Sequence, residues 1–92
     1  MAISLVPVGS RTLRGTMTHY FFHICSRTER IEDREGADFE TLESAVTEAR
    51  LAAREILAED LRKGQVDETR LFEIFDDQGE LVARLPFQDA LR

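Results

Sequence analysis

The stretch MTHYFFHICSR, residues 17–27, places two histidines, one cysteine and three aromatic rings in one short run. Such a run can ligate a metal, carry out chemistry or build a core. Aromatic and β-branched side chains fit a pleated, half-buried surface, so residues 19–25 are predicted as a strand. Side chains alternate along a strand. Tyr20, Phe22 and Ile24 then share one face, and His19, Phe21, His23 and Cys25 share the other. Large apolar groups on both faces mark a central strand.

The surroundings of that strand supply the rest of an architecture. Ser26-Arg27-Thr28 can turn the chain, and residues 29–33, around Ile31, make a weaker strand whose charges suit a sheet edge. The clearest pattern follows, from Leu42 to Lys63. Leu42, Ala45, Val46, Ala49, Ala52, Ala53, Ile56, Leu57 and Leu61 recur in steps of mostly three and four, which makes one apolar stripe on a helix. Thr41 is its N-cap and Gly64 its left-handed stop. Glu43 sits near the positive end of the helix dipole, and Arg62 and Lys63 near the negative end. Residues 71–75 and 81–85 flank the loop Asp76-Asp77-Gln78-Gly79-Glu80 and read as a β-hairpin closed off by Pro86.

The predicted order is ββαββ. One helix cannot cover both faces of a four-stranded antiparallel sheet, so the expected fold is a two-layer α+β domain. Phe22, Ile24, Phe72 and Ile74 are expected to meet Ala49, Ala52, Ile56 and Leu57. Strand orders 2-1-4-3 and 2-1-3-4 both satisfy the pattern. Residues 17–92 form this single domain. Residues 1–16, broken by Pro7, Gly9, Ser10 and Gly15, read as a flexible N-terminal extension, with a start at Met17 or an arm docking on a partner as its two explanations.

Composition narrows the function. The chain has 92 residues and a formal charge of −6. Arg11 and Arg14 lie ahead of Met17, so the remainder carries −8. That field opposes nucleic acid and anionic membrane, both bound through clustered Lys and Arg. A local cluster of Arg27, Arg30, Arg34 and Arg70 would reverse this expectation. No run approaches the roughly 20 apolar residues of a membrane span. The single cysteine, Cys25, forms no internal disulfide and points to a reducing, cytoplasmic setting.

The chemical readings of the opening stretch are weak. His23 and Cys25 lie about 7 Å apart on one face, close enough for one zinc ion, but His19 and Cys25 are about 20 Å apart. Further ligands would have to come from Glu73 or Asp76, which nothing singles out. Neighbouring same-face positions do not aim an imidazole at the thiol, so Cys25 is expected as a half-buried thiol. Glu59-Asp60 and Asp76-Asp77 are expected to face water. The 76–80 loop lacks the alternating ligands of a calcium loop and is explained by turn chemistry. No catalytic residue, metal or cofactor is assigned, and the expectation is a non-enzymatic domain.

The sheet face away from the helix is more informative. Phe21, His23, Cys25, Leu71, Glu73 and Phe75 are predicted to point there, joined by Val82 and Arg84. Left bare, that surface is an apolar patch of the kind that marks an interface. Cover by the C-terminal segment 87–91 or by the N-terminal arm is the alternative. The expected partner is another protein, most simply a second copy of the chain.

The segment Tyr20-Phe21-Phe22-His23 resembles a family of small bacterial proteins classed as a domain of unknown function. So do Asp33-Arg34-Glu35-Gly36, the alanine-rich helix, and the ending Phe72-Glu73-Ile74, Asp77-Gln78-Gly79-Glu80 and Leu85-Pro86-Phe87. The resemblance spans about residues 17–91. It implies a fold and a short bacterial protein, and brings no activity or catalytic residues. The start of the helix, Phe39 to Ala45, is similar to small antitoxin-like folds, and the helix-on-sheet plan to double-stranded-RNA-binding folds. These similarities imply the alternative of an antitoxin-like or nucleic-acid-binding regulator.

Overall fold

The computed structural model describes residues 17–91; the extension read in residues 1–16 lies outside them. The chain runs β1 (Thr18–Cys25), β2 (Arg30–Ile31), β3 (Ala37–Phe39), α1 (Leu42–Lys63), β4 (Leu71–Phe75), β5 (Leu81–Pro86) and a 3-10 segment (Phe87–Leu91). It is an α+β fold with one helix on an antiparallel sheet, as the patterning predicts. The sheet has five strands instead of four. The expected second strand over 29–33 shrinks to two residues, and β3, which carries no alternating signal of its own, pairs further along β1.

The sheet order is β2-β1-β4-β5, with β3 also on β1. It corresponds to the 2-1-3-4 alternative. β1 and β4 form the central ladder, from Phe21 opposite Phe75 to Cys25 opposite Leu71. β5 pairs with β4 in a hairpin whose register shifts between Ile74 and Phe75.

The helix begins where Thr41 Oγ1 accepts the Ser44 amide at 3.0 Å, which satisfies one donor of the first turn. It ends at Gly64, whose φ of 71° is left-handed. Its small residues Ala45, Ala49 and Ala53 are fully buried and bring the helix backbone close to the sheet. The core between the layers is aromatic. Phe22 lies edge-on to Phe39 and Phe72, with ring centroids 5.8 and 6.3 Å away, and Phe72 meets Phe87 at 5.0 Å. Ile56, Leu57, Ile74 and Leu85 complete it.

Two details of the stripe differ from expectation. Leu61 is two-thirds exposed, whereas Asp60 beside it is buried. Asp60 Oδ2 accepts a 2.6 Å bond from Arg70 Nη1, so the inward position of the last turn carries an ion pair. A buried carboxylate is tolerated only when paired. The 3-10 segment packs on the helix, where Arg50 donates to the Asp89 carbonyl and Arg54 to the Ala90 carbonyl. It therefore covers the helix side of the sheet, and among the described residues the strands line the other side.

Candidate functional site: the open sheet face and its edge loop

The expected outward residues form cross-strand rows. Phe21 stands opposite Phe75, His23 opposite Glu73, and Cys25 opposite Leu71. Glu73 in turn faces Arg84, and Phe75 faces Leu81. The register shift removes Val82 from this set. Its side chain packs against the buried core, and Leu81, 42% exposed, takes the outward place. A bulge inserts one residue into the side-chain alternation, so counting by twos from Arg84 fails at that point.

The polar centre of the face is Glu73. Arg30 Nη1 donates to its Oε1 at 2.8 Å, and Arg84 Nε lies 3.6 Å from its Oε2. Cys25 Sγ lies 3.4 Å from Glu73 Oε1 and 3.3 Å from Arg30 Nη1. Hydrogen bonding to Arg30 holds the Glu73 carboxyl below its ordinary value despite partial burial. Burial, and then Glu73, push the Cys25 thiol up, the reverse of an activated nucleophile. The Arg30 guanidinium also lies 5.8 Å from the Phe75 ring centroid, and His23 packs on that ring at 5.1 Å.

This assembly pairs one of the four arginines considered above with an internal carboxylate. Arg30 is engaged by Glu73 and Glu32, and Arg70 by Asp60, while Arg27 and Arg34 are exposed. Among the described residues, no group of three or more His, Cys, Asp or Glu side chains could hold a metal ion. No helix among them is long and apolar enough to cross a membrane.

Both histidines have another occupation. β2 and β3 run along the same edge of β1, with Ile31 opposite Ile24 and Ala37 opposite Tyr20. Between those pairs, three residues of β1 face five of the partner segment, 32–36, and the backbone ladder is interrupted. Side chains fill the gap. Asp33 Oδ2 accepts the Phe22 amide at 3.0 Å, and its Oδ1 accepts the Glu35 and Gly36 amides at 3.2 and 3.1 Å. His23 Nδ1 accepts the Asp33 amide at 3.0 Å. His19 reaches the far end of the loop, with Nδ1 2.6 Å from Asp38 Oδ1 and Nε2 2.7 Å from the Glu35 carbonyl.

Gly36 closes the loop at a φ of 65°, left-handed and favoured by glycine. A Cβ there would lie 2.5 Å from the Tyr20 carbonyl oxygen and 2.6 Å from His19 Nε2. Strand alternation puts His23 on the open face and carries no sign of this loop. The spacing Asp33-x-x-Gly36, a side-chain acceptor three residues before a left-handed glycine, is the signal that could have found it.

No curated protein and no solved structure matches the chain. A family model does: it covers residues 19–88, from the first histidine of β1 to the start of the 3-10 segment. It thus includes the open face, the edge loop and the whole helix, and the chain belongs to the DUF6894 family, a domain of unknown function.

Proposed function

We propose that this domain is a non-enzymatic interaction module that associates with a second copy of itself through the open sheet face. The observation that carries this reading is the composition of that face. Phe21, Phe75, Leu71 and Leu81 surround a charge-compensated centre of Arg30, Glu73 and Arg84, and the helix and the 3-10 segment both sit on the other side. Aromatic residues and arginine are enriched at the cores of protein interfaces and lysine is depleted there. This face carries no lysine. Phe21, Leu71 and Phe75 are half-buried and Leu81 is exposed, so apolar surface remains available to a partner. A two-fold axis through the face would place the same patch against itself.

The regulatory alternative, with nucleic acid or a toxin as partner, draws less support, because Arg30 and Arg70 are spent on internal carboxylates. Catalysis draws less still, because the Cys25 thiol is bonded to Glu73 and Arg30 and held protonated. The lone thiol suits a reducing, cytoplasmic setting, and the resemblance noted above suits a bacterial one.

Light scattering over a range of concentrations tests the proposal. The expected mass is twice that of the 10.5 kDa chain at high concentration. Phe75→Glu is expected to return the monomer mass with the circular dichroism unchanged. A strict monomer at every concentration defeats the reading.

A further inference from the structure

The two histidines of β1 hold the same five-residue loop but ask opposite things of a proton. At His19 both ring nitrogens point at acceptors, the Asp38 carboxylate and the Glu35 carbonyl. A carbonyl cannot donate, and an ionised carboxylate cannot donate either, so both bonds form together only when both ring nitrogens carry hydrogen, as in an imidazolium. At His23 the Asp33 N–H points at Nδ1. A backbone amide cannot accept, so this bond requires an Nδ1 without hydrogen, which is the neutral ring with its proton on Nε2.

We propose that His19 and His23 form a two-sided proton clasp on the 32–36 loop. The edge of β1 is fully hydrogen-bonded only while His19 carries two ring protons and His23 one, so acid and alkali each release the loop from a different end.

The charged surroundings agree with the geometry. Among the described residues, the charged groups that shift His19 are Asp38 from β3 and Asp33 from the loop. Burial acts to lower its pKa, but the bonds to Asp38 and Glu35 and the nearby carboxylates outweigh this and raise it above 6.5. His23 faces Arg30 from β2, Glu32 and Asp33 from the loop, and Glu73 from β4. Burial, assisted by Arg30, lowers its pKa below 6.5 against the pull of the three carboxylates.

The signs are therefore opposite. The stabilisation from His19 is complete below pH 6.5 and lost as pH rises through its raised folded value. That from His23 is complete above pH 6.5 and lost as pH falls through its lowered folded value. At the acid end a protonated Nδ1 would confront the Asp33 N–H, donor against donor. At the alkaline end His19 keeps one ring proton for two acceptors, and either Glu35 or Asp38 loses its bond.

Two measurements on the full chain test the clasp. Ring nitrogen shifts of the wild-type protein, followed by NMR, report the protons directly. Near pH 6.5, His19 is expected with both nitrogens protonated and His23 with hydrogen on Nε2 alone; a neutral His19, or a His23 proton on Nδ1, overturns the proposal. Amide exchange, corrected for intrinsic rates, is expected to show the Asp33 and Gly36 amides most protected at intermediate pH. Protection should fall by about tenfold toward each extreme, the loss of one charge-assisted or buried hydrogen bond. His23→Gln should abolish only the acid fall and His19→Gln only the alkaline one. A flat profile, or both falls surviving in both variants, overturns it as well. If either variant fails to fold, the wild-type ring titration still decides.

Discussion

β1 has neighbours on both edges, and the two are built differently. On one side β4 runs beside it in an unbroken ladder from Phe21–Phe75 to Cys25–Leu71, joined backbone to backbone. On the other, β2 and β3 supply two and three residues, and the stretch between them is held by the carboxylate of Asp33 and the rings of His19 and His23. The continuous side draws its stability from what its side chains bury. The broken side draws it from a few polar atoms that must each be in place and in the correct protonation state. Apolar burial is non-directional and tolerant, whereas a hydrogen-bonded loop fails at single positions.

The largest expected effect lies on the continuous side. Phe72 is fully buried and touches both Phe22 and Phe87. Phe72→Ala should cost about 3–5 kcal/mol. That is a large share of the roughly 5–15 kcal/mol that stabilises a small domain. Urea denaturation should show the whole domain weakened, β2 and β3 with it. A cost below about 1 kcal/mol would mean that the two layers are not joined through this ring.

Next comes the broken side. Gly36→Ala forces a side chain into a left-handed conformation and toward the Tyr20 carbonyl oxygen. Backbone strain of this kind costs about 1–3 kcal/mol. The damage should be local. Amides of residues 32–38 should lose protection while those of β4 and β5 keep theirs. Uniform loss across the sheet would show that the two edges of β1 are not separable, and would dissolve the contrast.

The same contrast explains what could be read from the amino-acid order. The helix over 42–63, the hairpin and the two-layer plan follow from apolar spacing, because burial repeats with the period of the backbone. The outward set Phe21, His23, Cys25, Leu71, Glu73, Phe75 and Arg84 follows from the same alternation. What escaped depends on single polar partners or on a break in the period. β3 has only Ala37 and Phe39 turned inward, too few residues to show alternation. Asp60 looks like a surface acid until Arg70, ten residues on, is folded against it. Val82 was placed outward because nothing in residues 76–83 announces the bulge. His19 and His23 read only as weak metal candidates because their partners Glu35 and the Asp33 amide belong to a loop with no periodicity, and Asp38 to a strand of three residues.

The smallest expected effect is where the two sides meet. Glu73 lies on the continuous ladder, with 18% of its side chain exposed, and receives one arginine from each direction: Arg30 from β2 at 2.8 Å and Arg84 from β5 at 3.6 Å. Arg84 is the more exposed and makes the looser contact, so Arg84→Ala should cost less than about 0.5 kcal/mol. Arg30 also bonds Cys25 and covers Phe75, and Arg30→Ala should cost about 1 kcal/mol. A double-mutant cycle with Glu73→Gln separates the pair energy from the lost packing. Because Arg30 sits on the two-residue strand that the loop follows, its loss should also loosen the amides of residues 32–36, and the loss of Arg84 should not. Equal effects of the two arginines on those amides would mean that the charge at Glu73 does not tie the broken edge to the unbroken one, leaving the Asp33 and histidine bonds to hold it alone.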